Sequence, residues 1–569
     1  MRIFWIKSFF VIFFIAIFAR LYYWQILRAD FLQVQAEGQH FTDVKVEASR
    51  GNIFFSDGSV LASSNPSFLL FGQPKLLTKE QKVKTAYSLA KLLVEQDAEI
   101  SDLAKDFIDK LSQDLYWVVL KKQISLEKKK EIEDLGLPGI GFEQGSSRFY
   151  PEGSSSAHIL GFVGSDSKSE SKGYFGIEGF YDGELKGISG LLRHEIDALG
   201  LPILIGNFLS NDAKNGKDLS LNIDRSVQFV VEQSLKTGIE KYGAKSASAV
   251  VMDPTTGAIL ALAAFPSYDP GNYTQFPKEY FKDPVVADTY EPGSTFKVLV
   301  MSAALNEKLV TPETTCDICS GPVNVGDYTL RTWDNKYFPN TSMTDVIIHS
   351  DNTGMVFVGK KLGVDKLYSY IGNFGFGQPS SIDLQDAADT MLRPKSNWRE
   401  IDLATASFGQ GIAVTPIQMV TAIAAIANGG SLMEPHVVKE IKDNQSTFEI
   451  KPKVLRSVIS PATAKVMTEM MVAAVDKGEA SWYKTHGGVT NFKIAGKTGT
   501  AQIPVAGHYD PTKTIASFVG FAPADDPKFV ILVRYDQPTA SIFGAETAAP
   551  TFFEIAKQLF TYYKIAPTE

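Results

Sequence analysis

The 569-residue chain has two cysteines, Cys316 and Cys319, and seven histidines, of which His349 stands next to Ser350. Two cysteines are too few for a disulfide scaffold or a four-ligand zinc site, and no histidine or second cysteine pair stands near them. A short-loop disulfide and two unpaired thiols remain open alternatives. Basic charge is also short: 56 Lys and Arg against 64 Asp and Glu leave a formal net charge of -8. Phosphate binding needs clustered cations, so nucleic acid is excluded as a partner. No internal repeat is visible. His349 beside Ser350 reads as structural, and the histidines offer no catalytic triad.

What is present is apolar content of 44%, enough for two or three domains with cores of their own. The first 28 residues, MRIFWIKSFFVIFFIAIFARLYYWQILR, are uncharged from Ser8 to Ala19. They suffice to span a bilayer if Lys7 and Arg20 extend their charged ends toward the headgroups, since roughly 20 residues cross the hydrocarbon core. Tyr22, Tyr23 and Trp24 supply an interfacial aromatic belt, and no small-x-small cleavage site follows, so the segment reads as an uncleaved anchor. Arg2, Lys7 and the amino terminus favour a cytoplasmic N-terminus, with Arg20 and Arg28 weakening the asymmetry.

Residues 29–216 mix strand-like pieces with charged helical ones, such as Leu77 to Leu111 and Ser125 to Leu135. SDSKSESKG, 165–173, reads as an exposed loop. From Asp218 the pattern is more regular. A helix is predicted over Val227 to Gly238, and SASAVVMD (246–253) and AILALAAF (258–265), joined by PTTG, predict a hairpin. TIASFVGFA (514–522) and KFVILVRY (528–535) predict a second, with a closing helix around Thr551 to Tyr563. The packing that follows is α+β: an antiparallel sheet built from the two ends of residues 217–569, with a helical lobe between.

The segment YEPGSTFK, 290–297, sets Ser294 three residues before Lys297, after a Pro-Gly turn and ahead of VLVMSAAL. Ser294 is either a nucleophile with Lys297 as its base or a helix N-cap. Spacing alone does not decide, because Ser88/Lys91, Ser125/Lys128, Ser165/Lys168, Ser169/Lys172 and Ser481/Lys484 share it. None of those five pairs follows a turn and opens an apolar helix. Two further groups follow in order: Ser350-Asp-Asn352, closing the helical TDVIIH, and Lys497-Thr498-Gly499-Thr500 on the strand-like KIAGKTGTAQ.

On a helix, positions i and i+3 share a face, which brings Lys297 beside the Ser294 hydroxyl. For lysine to accept a proton near neutrality its pKa must fall from about 10.4, and burial with a second cation nearby does this. Lys497 can be that cation. Asp351 reads as solvent-facing or as a helix-end residue.

Serine, lysine, S-x-N and K-T-G in this order resemble the penicilloyl-serine transferases, the superfamily of penicillin-binding proteins and class A β-lactamases. RGNIFFSDGSVLA (50–62), RFYPEGSSSAHILGFVG (148–164), GIEGFYDGELKG (176–187), PSYDPGNY (266–273) and FGQGIAVTPIQ (408–418), with the anchor, narrow the resemblance to class B penicillin-binding proteins of the septal type. It runs from Arg50 past Phe521. Phe55 and Ser56 depart from the family's usual Asp and Arg, and SDN stands where many septal members have SSN.

The resemblance implies an anchor at 1–28, a non-catalytic pedestal at 29–216 and a transpeptidase domain at 217–569, the last a five-stranded antiparallel sheet with flanking helices and an all-helical lobe. It implies Ser294 as nucleophile, Lys297 as base, Ser350 as proton relay and Asn352 as a ligand of the substrate amide. Lys497, Thr498 and Thr500 would bind the substrate carboxylate, and Gly499 would admit the ligand close to the strand. The oxyanion donors would be the backbone N–H groups of Ser294 and Thr500. The implied reaction joins a D-Ala-D-Ala donor stem peptide to an amine acceptor, with β-lactams as covalent inhibitors and no metal or cofactor. Implied partners are a polytopic glycan polymerase and other division proteins, at the bacterial inner membrane with the catalytic part outside. An elongation-type transpeptidase, a weakly catalytic scaffold and a β-lactam sensor are the alternatives. No class A deacylation loop is found, and no glycosyltransferase motif precedes Gly216.

Overall fold

A computed structural model of the chain describes residues 2–33, 41–94, 97–167, 170–195, 208–443, 445–505 and 508–568. By packing, these fall into two compact units, one of residues 1–50 with 186–216, the other of 51–185 with 217–569. The 216/217 boundary expected from the sequence is where the second unit's chain re-enters.

In the first unit, a helix over Arg2–Tyr22 continues as a wider turn over Tyr23–Leu27. Among the described residues Arg2–Leu27 is the one helix long and apolar enough to cross a membrane, 26 residues with a mean hydropathy of 2.1 over its most apolar window. At about 1.5 Å per residue it reaches roughly 39 Å, beyond the hydrocarbon thickness of about 30 Å. The same unit holds an antiparallel sheet of Phe41–Val46, Gly190–Glu195 and Phe208–Asn211.

The second unit contains the sheet predicted from both chain ends. Its order is Ile259–Phe265, Ser246–Met252, Phe529–Asp536, His508–Ala522, Ala495–Val505, antiparallel throughout. Along Phe529–Asp536 the side chains alternate between two cores. Val530 and Leu532 face the helical lobe, while Ile531 and Val533 pack under helices Arg225–Tyr242 and Ala548–Tyr562 with Phe518 and Phe552. Burial on both faces explains why these strands read as unbroken apolar runs rather than alternating ones. Each fully buried Val, Leu or Phe there contributes about 1.5–3 kcal/mol relative to exposure.

A seven-stranded sheet crosses the expected domain boundary. Thr447–Glu449, Val438–Lys442, Asp218–Leu221, Ile53–Phe54, Val60–Gly72 and Val118–Ile124 run in that order, and Ile140–Phe149 also pairs with Val60–Gly72. The pairing of Ile53–Phe54 with Asp218–Leu221 is parallel.

The motifs at 50–62, 148–164 and 176–187 converge beside this sheet. Arg148 Nε donates to the fully buried Glu178 carboxylate at 2.6 Å, and its Nη1 donates to the Gly51 carbonyl at 2.7 Å. Phe55, one of the departures from the family pattern, is fully buried and joins the largest core cluster.

The helical stretch expected over Leu77 to Leu111 is two helices, Lys79–Leu93 and Asp97–Leu111, because Val94 turns extended. The loop expected at SDSKSESKG is the tip of a hairpin, Phe162–Ser165 against Ser171–Tyr174; Lys168 and Ser169 lie outside the described residues. Ser88 sits inside its helix, and Ser125 caps Leu126–Glu133. The two cysteines are joined as a buried disulfide, which decides the alternative the sequence left open.

Candidate active site

Ser294 lies in a 3₁₀ turn, Gly293–Phe296, that feeds directly into the helix Lys297–Asn306. It caps nothing: neither the turn nor the helix has a side-chain cap, so the N-cap reading fails. The 3₁₀ turn ends at Phe296, so Lys297 opens the α-helix three residues after Ser294. Ser294 itself is half-buried.

Two segments fix this turn. Tyr290 pairs with Val414 through both backbone hydrogen bonds at 2.9 Å, Gly293 N donates to the Gly409 carbonyl at 3.1 Å, and Gly411 N donates to Glu291 Oε1 at 3.1 Å. The FGQGIAVTP stretch thus cradles the Ser294 turn, a role its sequence did not disclose. From the other side comes the strand Ala495–Val505. A Cβ on Gly499 would collide with Ser517 Oγ and lie 2.8 Å from Thr295 Cγ2. The glycine is needed so that the strand can approach the Ser294 turn, a reason more immediate than the ligand approach expected of it.

Lys297 is fully buried. Its Nζ donates to the Ser350 carbonyl at 2.6 Å, to Asn352 Oδ1 at 2.7 Å and to Ser350 Oγ at 3.3 Å. Burial first, and the nearby Lys497 charge second, push its pKa down to about 7, against the opposing pull of Asp351 and Glu479. A lysine in that range is substantially neutral at neutral pH and can act as a proton acceptor. Lys497 is also buried, its pKa lowered by desolvation, and its Nζ donates to Thr498 Oγ1 at 3.0 Å.

Ser350 follows the helix Met343–Ile348 with φ of 55°, at the left-handed position where helices commonly place glycine. Asp351 N donates to the Val346 carbonyl at 2.9 Å and Ser350 N to the Ile347 carbonyl at 3.4 Å, a Schellman closure. A serine here is strained, and the strain coincides with aiming both its carbonyl and its hydroxyl at Lys297.

Of the two readings of Asp351, solvent-facing or helix-end, the structure shows the second. Asp351 is buried and caps the helix Asn352–Asn373, its Oδ1 accepting from Thr353 N at 2.7 Å and Gly354 N at 3.2 Å. His349 is exposed and stacks on Phe338 at 4.6 Å, in keeping with a structural role.

The structure brings together all eight residues singled out in sequence, with one qualification, at Thr498. Asn352 Nδ2 donates to the Arg331 carbonyl at 2.9 Å and its Oδ1 accepts from Lys297, which leaves one N–H and one lone pair for a substrate amide. Thr498 Oγ1 directs its proton to Glu479 Oε2 at 3.2 Å, and an incoming carboxylate must compete with Glu479 for it. Thr500 Oγ1 accepts from Gly544 N at 3.1 Å, leaving its own proton to donate. Glu479, Trp333 and Phe543 were missed. Glu479 sits in the turn after helix Pro461–Lys477, and Trp333 meets Phe543 with ring centroids 5.6 Å apart. No local pattern marks any of the three.

Among the described residues no cluster of His, Cys, Asp and Glu could hold a metal ion. The family model of the penicillin binding protein transpeptidase domain matches residues 247–558, more than half of the chain. The chain belongs to the penicillin-binding protein transpeptidases. A second model, the penicillin-binding protein dimerisation domain, matches residues 45–221. Stage V sporulation protein D of Bacillus subtilis is 34% identical over 100% of this chain and 86% of its own length. The "Probable peptidoglycan D,D-transpeptidase PenA" of Neisseria meningitidis is 29% identical, covering 98% of this chain and 92% of its own. A crystal structure of a peptidoglycan synthetase from Bifidobacterium adolescentis superposes with a TM-score of 0.72 at 28% identity, covering 93% of this chain and 98% of that one. This penicillin-binding protein is therefore a class B transpeptidase, with the mixed α/β two-domain fold of its relatives.

Proposed function

We propose that this transpeptidase cross-links peptidoglycan stem peptides through an acyl-enzyme on Ser294. Neutral Lys297 takes the Ser294 proton as Oγ attacks the carbonyl of the penultimate D-Ala. The terminal D-Ala leaves with a proton relayed through Ser350, and an amine from a second strand then takes the acyl group. The oxyanion donors are the N–H groups of Ser294 and Thr500, supported by the packing of the turn on the strand, where a Cβ on Gly293 would sit 3.3 Å from the Thr500 carbonyl. Lys497 and Thr500 bind the donor carboxylate, and Thr498 does so once released from Glu479. The observation that carries this reading is the buried Lys297, held by Ser350 and Asn352 beside a second buried lysine.

We further propose a pedestal at 29–216 and a transpeptidase domain at 217–569, supported by the ranges of the two family models. The N-terminus is cytoplasmic and the catalytic part extracytoplasmic at the inner membrane, supported by Arg2 and Lys7 and by the Cys316–Cys319 disulfide, which suits an oxidising compartment. Septal wall synthesis with a polytopic glycan polymerase as partner follows the motif resemblance. The name of the Bacillus relative favours a second reading, the same chemistry in a sporulation wall.

The test is cross-link formation by the full-length protein in detergent from a pentapeptide-bearing donor strand and an amine-bearing acceptor. Product that disappears in Ser294→Ala supports the proposal; product that persists in Ser294→Ala removes it.

A further inference from the structure

A cavity of about 300 Å³ lies against the S-x-N segment and the turn after helix Pro461–Lys477, and Trp333, Asp334, His349, Asp351 and Glu479 are among its walls. Its chemistry is that of a cation site. Asp351 is 2% exposed, and while its Oδ1 takes three donors, from Thr353 N, Thr353 Oγ1 and Gly354 N, its Oδ2 is buried without any. A carboxylate oxygen buried without a donor is costly, and a charged N–H donor is the group that offsets the cost best. Glu479 presents a second carboxylate, engaged through Oε2 by the Thr498 hydroxyl. Trp333, 51% exposed, is anchored by its indole N–H on the His349 carbonyl at 3.4 Å, leaving an aromatic face of the kind that attracts cations. Lysines also border the cavity, but Lys336 is matched by Asp334 at 3.6 Å and Lys477 is exposed to solvent; the buried Lys297 and Lys497, which feel the charges of Asp351 and Glu479, spend their hydrogen bonds on Ser350, Asn352 and Thr498.

The position of the cavity ties it to the reaction. His349 and Asp351 flank Ser350, whose Oγ lies 3.3 Å from Lys297 Nζ, and Glu479 is bonded to Thr498 of the facing strand. We propose that this cavity is the subsite for the acceptor, a substrate bearing a primary ammonium group, held by Asp351, Glu479 and the face of Trp333. The inference rests on the transpeptidase reading above. The ammonium gives one proton to solvent and becomes a neutral amine. Its nitrogen bonds to the acyl carbon as the bond to Ser294 Oγ breaks. The nitrogen's surplus proton passes by way of Ser350 and neutral Lys297 to Ser294 Oγ, which restores the free enzyme.

The test is a partition experiment with the full-length protein in detergent. The donor is diacetyl-L-lysyl-D-alanyl-D-lactate, the acceptor is Nα-acetyl-L-lysine amide, and the ratio of aminolysis to hydrolysis is followed against acceptor concentration. The ratio cancels the acylation step, so it reads the acceptor alone. Glu479→Gln and Trp333→Ala should each raise the acceptor concentration needed for half-maximal aminolysis by about tenfold, the scale of one lost charge-assisted contact. An unchanged concentration dependence in both variants overturns the subsite. Equal losses of aminolysis and hydrolysis also overturn it, assigning the cavity to the donor instead. A wild-type protein that forms no acyl-enzyme at all removes the transpeptidase reading together with this one.

Discussion

Lys297 makes the site's pH dependence a quantitative consequence of its burial. A lysine at its ordinary value of 10.5 would be neutral in about one molecule in 3,000 at pH 7, whereas with the pKa lowered to about 7 roughly half is neutral. Holding the lysine in its buried place is therefore worth on the order of 10³ in available base. Below the lowered pKa Lys297 is protonated and cannot take the Ser294 proton, so acylation falls as pH falls; above it the base is free and the rate levels off. The second-order rate constant for acylation by benzylpenicillin should rise about tenfold from about pH 6 to about pH 8 and then flatten. Glu479 opposes the lowering through its negative charge, so Glu479→Gln should move the bend to lower pH. A rate that keeps rising tenfold per pH unit through about pH 9 would refute the reasoning, because it would place the base at an ordinary lysine value. So would a bend that Glu479→Gln moves upward.

Ser350→Gly should separate stability from activity. Glycine relieves the left-handed strain at φ 55° and raises the melting temperature by the equivalent of about 1 kcal/mol, while loss of the hydroxyl slows acyl transfer by about 10²-fold; thermal denaturation and a donor-turnover assay check the two halves. Gly499→Ala should cost about 1–3 kcal/mol and slow acylation, because the new methyl meets Ser517 and Thr295 behind the nucleophile; urea unfolding read beside penicillin labelling tests it. Glu178→Ala should cost about 3–5 kcal/mol by leaving the Arg148 guanidinium buried and uncompensated, and a melting temperature equal to the parent's would contradict the buried pair.

What the sequence disclosed was local or ordered along the chain. The hairpin at 246–265 and the strands at 514–535 were legible because burial on both faces writes an apolar run of strand length. Ser294, Lys297, Ser350, Asn352 and Lys497 were legible through their order and their placement on elements, which no decoy pair shares. The remainder depends on contacts between distant segments. Nothing near Ile53 announces its parallel pairing with Leu219, and nothing near Gly409 announces that it supports Gly293. Asp351 reads as either solvent-facing or a helix-end residue, and only the turn made by Ser350 shows that it goes inward to cap the next helix. Gly499 was assigned to ligand approach, and only the fold shows Thr295 and Ser517 occupying the space a side chain would need.

The central claim is that Ser294 is the nucleophile and Lys297 its base. Intact mass and peptide mapping of the full-length protein after incubation with benzylpenicillin test it most directly. One stable adduct on Ser294 is expected, absent in Ser294→Ala and strongly slowed in Lys297→Ala. An adduct on another residue, or none in folded protein, would contradict it.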